Sequence, residues 1–366
     1  MRTTRWLLAA VASVLPCVTL CAQEGQWSFV DSPNPTSFLN AFHGIDATSP
    51  DDIWAVGEKR VGLTADTESL VLHWDGSAWG VVGTPANPAF ADTWLRDVAA
   101  IDGDAAWAVG VLTLGSDASP WVLRWNGDAW SQASTSGLPA SSSLFSAVAV
   151  DGAVWVAGRG PFSNSIAARW NGSGWTSESV EQVGTYADVL FHVDASAVDD
   201  IWAVGSWTHT YGGTNGLASH WNGSTWESQA VAPPPGGSSS TLRAVRVFGP
   251  DDAWAVGDYY EAPGGTRSWI AHWNGASWVN ESLPAIGDLS ALRGIHGTPS
   301  DLWAVGVWQI AGVQDQLLYH YDGASWSQVA APTVPGSGES VRAVVGLPNG
   351  DFWLAGTFSN GTYAAT

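Results

Sequence analysis

Short apolar runs bounded by Gly, Pro, Asn and Asp recur along the chain, and in one representative period they occupy residues 242–245, 253–256, 269–273 and 278–280. Runs of this length between turn residues predict β-strands rather than helices. The Asn274-Gly275 dipeptide between the third and fourth runs predicts a tight hairpin, because a type I′ turn needs positive φ at both central residues. Each period therefore predicts four antiparallel strands.

One phrase repeats at nearly constant spacing. It reads Trp-Ala-Val-Gly or a close variant, and its copies are 47 to 53 residues apart. The copies begin at Trp54, Trp107, Trp155, Trp202, Trp254, Trp303 and Trp353. A period near 50 residues with four short strands is typical of a β-propeller. The repeat thus predicts an all-β, seven-bladed propeller with four antiparallel strands per blade, its recurring tryptophans packed between the blades.

The last period lacks a fourth strand, since after Trp353 it offers only residues 361–364 as a further run. A match for the missing strand lies at the N-terminus, where residues 27–33 (WSFVDSP) parallel residues 326–332 (WSQVAAP). We therefore expect the N-terminal strand to enter the last blade and close the ring, because pairing would satisfy an otherwise exposed strand edge.

The first residues have the pattern of an export signal. Arg2 and Arg5 precede an apolar run over residues 6–15, and small and polar residues follow. This pattern predicts a signal peptide over residues 1–22 and a single propeller domain over residues 23–366. The protein is then exported, either secreted or periplasmic. A lipid anchor is less favoured, because Leu20 precedes Cys21 and Pro16 precedes Cys17. No apolar run is long enough for a transmembrane span.

The charge balance excludes some partners. The chain has 34 Asp and Glu against 13 Lys and Arg, a formal net charge of −21. Nucleic acid and anionic membrane surfaces are disfavoured, since both require clustered cations.

A basic residue precedes the aromatic of the third strand in six periods, and its spread over separate blades argues against a metal site. These residues are His73, Arg124, Arg169, His220, His272 and His320. We expect them to pair with acidic turns. No cofactor and no metal are expected.

On these repeats the chain resembles the Trp-rich propeller proteins exported by bacteria, which are grouped with kelch-like and galactose-oxidase-like propellers. The resemblance implies the fold over nearly the whole mature chain and leaves function open. The hairpin from Trp170 to Trp175 is also similar to that of six-bladed fucose-binding lectins, whose acidic sugar ligand precedes the first Trp by three residues. In this chain those positions are apolar: Val71, Val122, Ala167, Ala218, Ile270 and Leu318.

Variable connections lie on one rim of the predicted ring, where ligand-binding residues are usually found on a rigid scaffold. Four aromatic residues reach this rim five positions after the second-strand Trp: Trp207, Tyr259, Trp308 and Phe358. They are candidates for stacking on sugar rings or anchoring a protein partner. The alternative is that they extend the core at the ends of the blades.

Basic residues occur early on the innermost strands, toward the same rim. They are Arg96, Arg243, Arg293 and Arg342, with His43 in the first blade. A cationic channel mouth in an acidic protein can hold a carboxylate or sulfate group. The alternative is pairing across the hairpin, with Arg243 opposite Asp258 and His43 opposite Glu58.

The sequence contains no recognisable catalytic motif. The favoured interpretation is therefore an exported, monomeric, non-enzymatic protein that binds a glycan or a cell-surface protein through the variable rim. One alternative is a polysaccharide lyase or hydrolase using rim carboxylates such as Glu58, Asp66, Asp258 and Glu261. Another is a structural or assembly scaffold.

Overall fold

The computed structural model describes residues 4–10, 27–36, 40–62, 66–210, 212–284, 286–331 and 340–358, with the backbone alone for Thr4–Ala10, Phe29 and Phe358. The regular secondary structure of the described residues is almost entirely β-strand, in agreement with the short apolar runs and the turn residues that bound them. A single turn of 3₁₀ helix, Pro161–Ser163, interrupts one connection. Within the described residues, no helix has the length and apolarity required to cross a membrane.

Strands β1 (Thr4–Ala10) and β2 (Trp27–Val30) belong to the last sheet. The next 24 strands form six four-stranded antiparallel blades, each built from consecutive strands with the first innermost. Blades one to three are β3–β6 (Asn40–Ser49, Asp52–Arg60, Thr67–Trp74, Trp79–Val81), β7–β10 (Asp92–Asp102, Ala105–Leu114, Asp117–Trp125, Trp130–Gln132) and β11–β14 (Ser143–Val150, Ala153–Arg159, Ser165–Trp170, Trp175–Glu178). Blades four to six are β15–β18 (Ala187–Ala197, Asp200–Thr208, Thr214–Trp221, Trp226–Val231), β19–β22 (Gly237–Gly249, Asp252–Glu261, Gly265–Trp273, Trp278–Asn280) and β23–β26 (Leu289–Thr298, Asp301–Ile310, Val313–Tyr321, Trp326–Val329).

The prediction of seven antiparallel four-stranded blades, closed into a ring by the N-terminal strand, is wrong. The described residues form six such blades and one mixed sheet. In the mixed sheet β27 (Ser340–Gly346) and β28 (Phe352–Phe358) are antiparallel, but β1 runs parallel to β28 and β2 runs parallel to β1. The run at residues 361–364, expected beside β28, lies outside the described residues.

The mixed sheet differs from the six blades because its strands are connected differently along the chain. In the six blades every strand follows its neighbour through a short hairpin, which forces antiparallel pairing. In the mixed sheet only β27 and β28 are joined in this way. The edge of β28 still needs backbone partners, and the long connection after β1 leaves the direction of pairing free. The expected signal peptide over residues 1–22 and the domain boundary after it stay predictions, although residues 4–10 of that segment form β1.

Tryptophans pack between neighbouring blades, as the sequence predicted. The fourth-strand Trp of one blade meets the second-strand Trp of the preceding blade edge to face, as Trp130 does on Trp54, with ring centroids 5.2 Å apart and planes at 88°. Trp27 of β2 makes the same contact with Trp303 at 4.9 Å. On the other side of the mixed sheet, Trp353 lies 5.4 Å from Trp79 of the first blade. These contacts form the apolar clusters between sheets.

The four third-strand histidines pair with the acidic turns, as expected. His73 Nε2 lies 2.7 Å from Asp52 Oδ1, and the imidazole stacks on Trp54 at 4.2 Å. The hydroxyl of Thr48 donates to the other carboxylate oxygen of Asp52. Three further blades repeat the pair, in His220–Asp200, His272–Asp252 and His320–Asp301.

The two arginines at this position have other partners among the described residues. Arg169 Nε donates to Glu178 on the fourth strand at 3.0 Å, and Arg124 lies over the Trp107 ring at 5.4 Å.

Candidate ligand-binding mouth of the propeller

Each innermost strand of the described residues carries a β-bulge near its start. In β7, for example, Leu95 pairs with Gly110 and Asp97 with Val109, which leaves Arg96 as the extra residue. A bulge of this kind re-aims the side chain of the extra residue. The bulged residues are His43, Arg96, Phe145, Phe191, Arg243, Arg293 and Arg342. We call this set the mouth.

The glycine that ends the repeated Trp-Ala-Val-Gly phrase makes the bulge possible. Gly306 pairs with Leu292, the residue just before the bulged Arg293. A Cβ at Gly306 would overlap the backbone carbonyl oxygen of Ala291, and a Cβ at Gly57 would overlap that of Ala41 in the first blade. The phrase therefore keeps a glycine where the bulged inner strand crosses closest to the second strand.

The residues of the mouth lie in the first part of each inner strand, toward the rim that carries the variable connections. Its basic residues influence one another electrostatically. Arg342 Nη1 lies 3.2 Å from His43 Nδ1. Desolvation and then the charge of Arg243 lower the pKa of Arg293 to about 10, while Asp258 opposes the shift. The pKa of Arg96 is lowered by desolvation, with a smaller contribution from Arg342. These couplings place the four arginines near one another, and their role in ligand binding stays a prediction.

Two mouth residues pair with carboxylates of their own blade, as the alternative interpretation expected. Arg243 Nε donates to Asp258 Oδ1 at 2.6 Å, and His43 Nε2 lies 3.4 Å from Glu58 Oε1. The other three arginines of the mouth are not paired with described carboxylates in this way. Arg293 and Arg342 are exposed and form no ion pair with a described carboxylate. Arg96 Nε is buried and has no hydrogen-bond partner among the described residues. The mouth therefore carries more positive charge than its two carboxylates neutralise.

Phe145 and Phe191 complete the mouth, and the sequence analysis missed them. Their rings lie 5.7 Å apart with planes at 37°. The guanidinium of Arg243 lies 5.9 Å from the centre of the Phe191 ring. A signal was present, because each Phe follows a buried Leu at the place where Arg follows Leu in other blades, as in Leu95-Arg96 and Leu144-Phe145. The mouth therefore has arginine at four positions and phenylalanine at two, and burial lowers the pKa of its seventh residue, His43.

The structure describes the side chains of three of the four aromatics predicted on the second strands, and these three lie in separate clusters. Trp207, Tyr259 and Trp308 are half-buried, and each packs against a different inter-blade cluster. Trp207 also meets His209 edge to face at 4.5 Å. The side chain of Phe358 lies outside the described part of the chain. These contacts agree with the alternative that the aromatics extend the core, and their role in ligand binding stays a prediction.

A cavity of about 660 Å³ lies toward the opposite end of the channel. Its polar side chains fasten neighbouring inner strands. Asp46 accepts the backbone N–H of Ala100 at 2.9 Å, and Asp194 accepts that of Val247 at 2.7 Å. His296 Nδ1 likewise accepts from Gly346 N at 2.8 Å. Burial raises the pKa of Asp46 to about 7 despite these hydrogen bonds.

No group of three or more His, Cys, Asp or Glu side chains in the described part of the chain is arranged to hold a metal ion. The rim carboxylates considered for catalysis are mostly engaged. Glu58 and Asp258 pair with His43 and Arg243, and Glu261 lies 3.5 Å from Arg267 Nε. The geometry at this rim therefore offers fixed cations beside an aromatic pair.

No protein-family model matches the chain, and no curated protein sequence matches it significantly. Three solved structures are similar in fold. YCF48 bound to D1 peptide is 17% identical, with a TM-score of 0.52, over 88% of this chain and 91% of that chain. The PL25 ulvan lyase bound to -[GlcA(1-4)Rha3S]- is 10% identical, with a TM-score of 0.55, over 82% and 84%. The SapL1 lectin in complex with alpha methyl fucoside is 14% identical, with a TM-score of 0.50, over 80% and 97%.

These neighbours are β-propeller proteins, and at such identities they show the fold alone. The chain is thus an all-β propeller. Its narrower grouping with kelch-like or galactose-oxidase-like propellers stays a prediction.

Proposed function

We propose that this protein is an exported, monomeric binding protein that recognises an acidic glycan at the mouth of its channel. The observation that carries the proposal is the cluster of Arg96, Arg243, Arg293 and Arg342 at one end of the channel, in a chain whose net charge is −21. Against such a background, a cationic surface with few counter-ions selects anionic partners.

The chemistry of arginine fits carboxylate and sulfate groups. Its planar guanidinium donates two parallel hydrogen bonds to such anions. Arg293 and Arg342 are exposed, and neither is neutralised by a described carboxylate. Four bulges fix the backbone at the arginines, so the ligand meets cations that are already assembled. Such preorganisation reduces the entropic cost of binding.

Binding is favoured over catalysis at this rim. A glycosidase or lyase needs a carboxylate or another base free to move a proton. Glu58 instead accepts a hydrogen bond from His43, and Asp258 forms an ion pair with Arg243. The polysaccharide-active enzyme is therefore the weaker interpretation, and a scaffold role does not account for the excess charge at the mouth.

The similar structures include a lectin, a polysaccharide lyase and a protein bound to a peptide. They support the idea that propellers of this shape accept carbohydrate or peptide ligands, and they leave the choice open. Fucose binding in the manner of the lectins is disfavoured here, because apolar residues such as Val71 and Leu318 occupy the positions of the acidic sugar ligand. A cell-surface protein with an acidic patch is the second candidate partner.

A glycan array of neutral, carboxylated and sulfated oligosaccharides tests the proposal. We expect the wild-type protein to bind acidic glycans and to ignore their neutral counterparts. The variant Arg293→Gln/Arg342→Gln should lose most of this signal. The matched control is Arg124→Gln/Arg169→Gln, which removes the same charge from third strands away from the mouth. Silence toward all acidic glycans, or equal losses in both variants, contradicts the proposal.

A further inference from the structure

We infer that the mouth is a two-part site in which Phe145 and Phe191 bind the apolar face of a sugar ring while the neighbouring arginines bind its carboxylate or sulfate. The ligand class is then a hexuronate or a sulfated hexose, not any polyanion. This inference rests on the proposed function, and it names the feature of the mouth that recognises the saccharide.

The two phenylalanines form a continuous aromatic surface. They occupy equivalent bulges on β11 and β15, which are innermost strands of adjacent blades. Their rings are 5.7 Å apart and tilted by 37°. Both side chains are only half-buried, although they are large and apolar. Their bulges turn them to the same rim as the arginines, so ring surface is left at the place where a ligand arrives.

A fixed cation borders this surface. The guanidinium carbon of Arg243 lies 5.9 Å from the Phe191 ring centre, and its Nε is held by Asp258 at 2.6 Å. The ion pair orients the guanidinium through Nε and leaves both terminal nitrogens without a hydrogen bond to a described residue. On the other side, Arg96 occupies the bulge of the blade that precedes Phe145. The aromatic pair is therefore flanked by cations in the order of the blades.

The chemistry of an acidic sugar matches this arrangement. A pyranose ring presents C–H groups on one face, and aromatic rings with a partly positive edge and a negative face bind such surfaces. A carboxylate or sulfate substituent projects from the rim of the sugar ring, where a guanidinium beside the aromatic surface can donate to it. A polyanion without sugar rings would use the arginines and gain nothing from the phenylalanines.

The decisive experiment compares two probes by calorimetric titration: a chondroitin sulfate tetrasaccharide and an oligo-glutamate of equal charge. In the variant Phe145→Leu/Phe191→Leu, which keeps apolar bulk and removes the rings, affinity for the tetrasaccharide should fall about tenfold or more. Affinity for oligo-glutamate should stay within twofold of wild type. A thermal melt confirms that the variant is folded.

The matched control is Phe90→Leu/Phe162→Leu. Both of these phenylalanines lie in connections of the same rim and are almost fully exposed, at 97% and 92%. The control should bind both probes as the wild type does. If Phe145→Leu/Phe191→Leu binds the tetrasaccharide like wild type, or if wild type prefers oligo-glutamate, the two-part site is wrong while an anion-binding mouth stands. If wild type binds neither probe, the proposed function fails with it.

Discussion

Two carboxylates in the channel, Asp46 and Asp97, show how burial in this fold raises the pKa of a side chain. Asp46 accepts backbone N–H groups from Ala47 and Ala100, at 2.8 and 2.9 Å. Burial nevertheless raises its pKa from 3.8 to about 7, and burial also raises the pKa of Asp97. These groups link adjacent inner strands, and they do so at the cost of holding buried charge at neutral pH.

The sign of this effect sets a pH dependence. Because the folded-state pKa of Asp46 lies above its unfolded value, the folded protein binds the proton more tightly between about pH 4 and 7. The free energy of unfolding should therefore fall as pH rises through that range. Urea denaturation at pH 5 and pH 8 measures the fall. In Asp46→Asn the fall should be smaller, whereas the control Asp102→Asn, at the exposed end of β7, should keep the full slope. Equal slopes in all three proteins would count against the assignment.

The His220–Asp200 pair gives the free energy of unfolding a pH dependence of the opposite sign. Burial would raise the pKa of Asp200, but hydrogen bonds from His220 and Ser196 outweigh it and lower the pKa below 3.8. The stabilisation is thus present above the unfolded pKa and lost as pH falls through the lowered folded value. At pH 7, Asp200→Ala should lower the free energy of unfolding by about 1–3 kcal/mol. Its exposed neighbour supplies the control, Asp199→Ala. A similar small loss in both variants would show that the pair is dispensable.

At the scale of the strand, the repeated glycine connects the sequence motif to the mouth. Gly306 faces the bulge that presents Arg293, and a Cβ there would overlap the Ala291 carbonyl oxygen. Gly306→Ala should therefore cost about 1–3 kcal/mol of stability, as overpacking does. It should also weaken binding of acidic glycans, since Arg293 moves with the bulge. Gly83→Ala, where a Cβ would meet nothing within 4 Å, should change neither property. Chemical denaturation and glycan titration of both variants check this, and unchanged binding in a folded Gly306→Ala protein would contradict it.

Strand β2 contributes through one large contact. Trp27 meets Trp303 edge to face at 4.9 Å, much as Trp326 meets Trp254 at 5.7 Å. Trp27→Ala should therefore lower the free energy of unfolding by about 3–5 kcal/mol, the usual cost of removing a large aromatic from a core. Phe90→Ala, at an exposed position, is the control. A loss under 1 kcal/mol in Trp27→Ala, measured by urea denaturation, would show that β2 is not anchored by this contact.

Elements joined by short hairpins were predictable from the sequence. The Trp-Ala-Val-Gly phrases and the Asn-Gly or Asp-Gly dipeptides mark the strands and turns of six blades, because a short connection dictates antiparallel pairing. The type I′ geometry expected at Asn274-Gly275 is wrong: the loop between Trp273 and Trp278 has four residues, and of the two only Gly275 has positive φ. The mixed sheet was not predictable in this way. The pairing of β1 with β28 joins segments at opposite ends of the chain, and its parallel direction follows from tertiary packing.

The sequence pointed to the arginines of the candidate site but not to its two phenylalanines. The arginines stand out as rare cations early on inner strands, so their place at the mouth could be read from the sequence. Phe145 and Phe191 did not stand out, because an aromatic residue in an apolar strand resembles core. Only the one-residue bulge, a feature of register, turns them to the rim.

For the whole molecule, the charge distribution sets the conditions of binding. The net charge of −21 repels an acidic glycan at long range, while the mouth attracts it at contact. Added salt near 0.1 M shortens the Debye length to about 10 Å and screens the long-range repulsion first. The mouth therefore acts as a local cationic site within an acidic protein, and a ligand must reach it to gain affinity.

The most direct measurement of the central claim is the stoichiometry of glycan binding. Calorimetric titration with the chondroitin sulfate tetrasaccharide should give one ligand per chain, because the inner strands form a single mouth. In Arg293→Gln/Arg342→Gln the affinity should fall at least tenfold, with the fold and melting temperature preserved, while Arg124→Gln/Arg169→Gln should bind as wild type does. Several ligands per chain, as expected of one site in each blade, or an affinity unaffected by loss of the two arginines, would contradict the account.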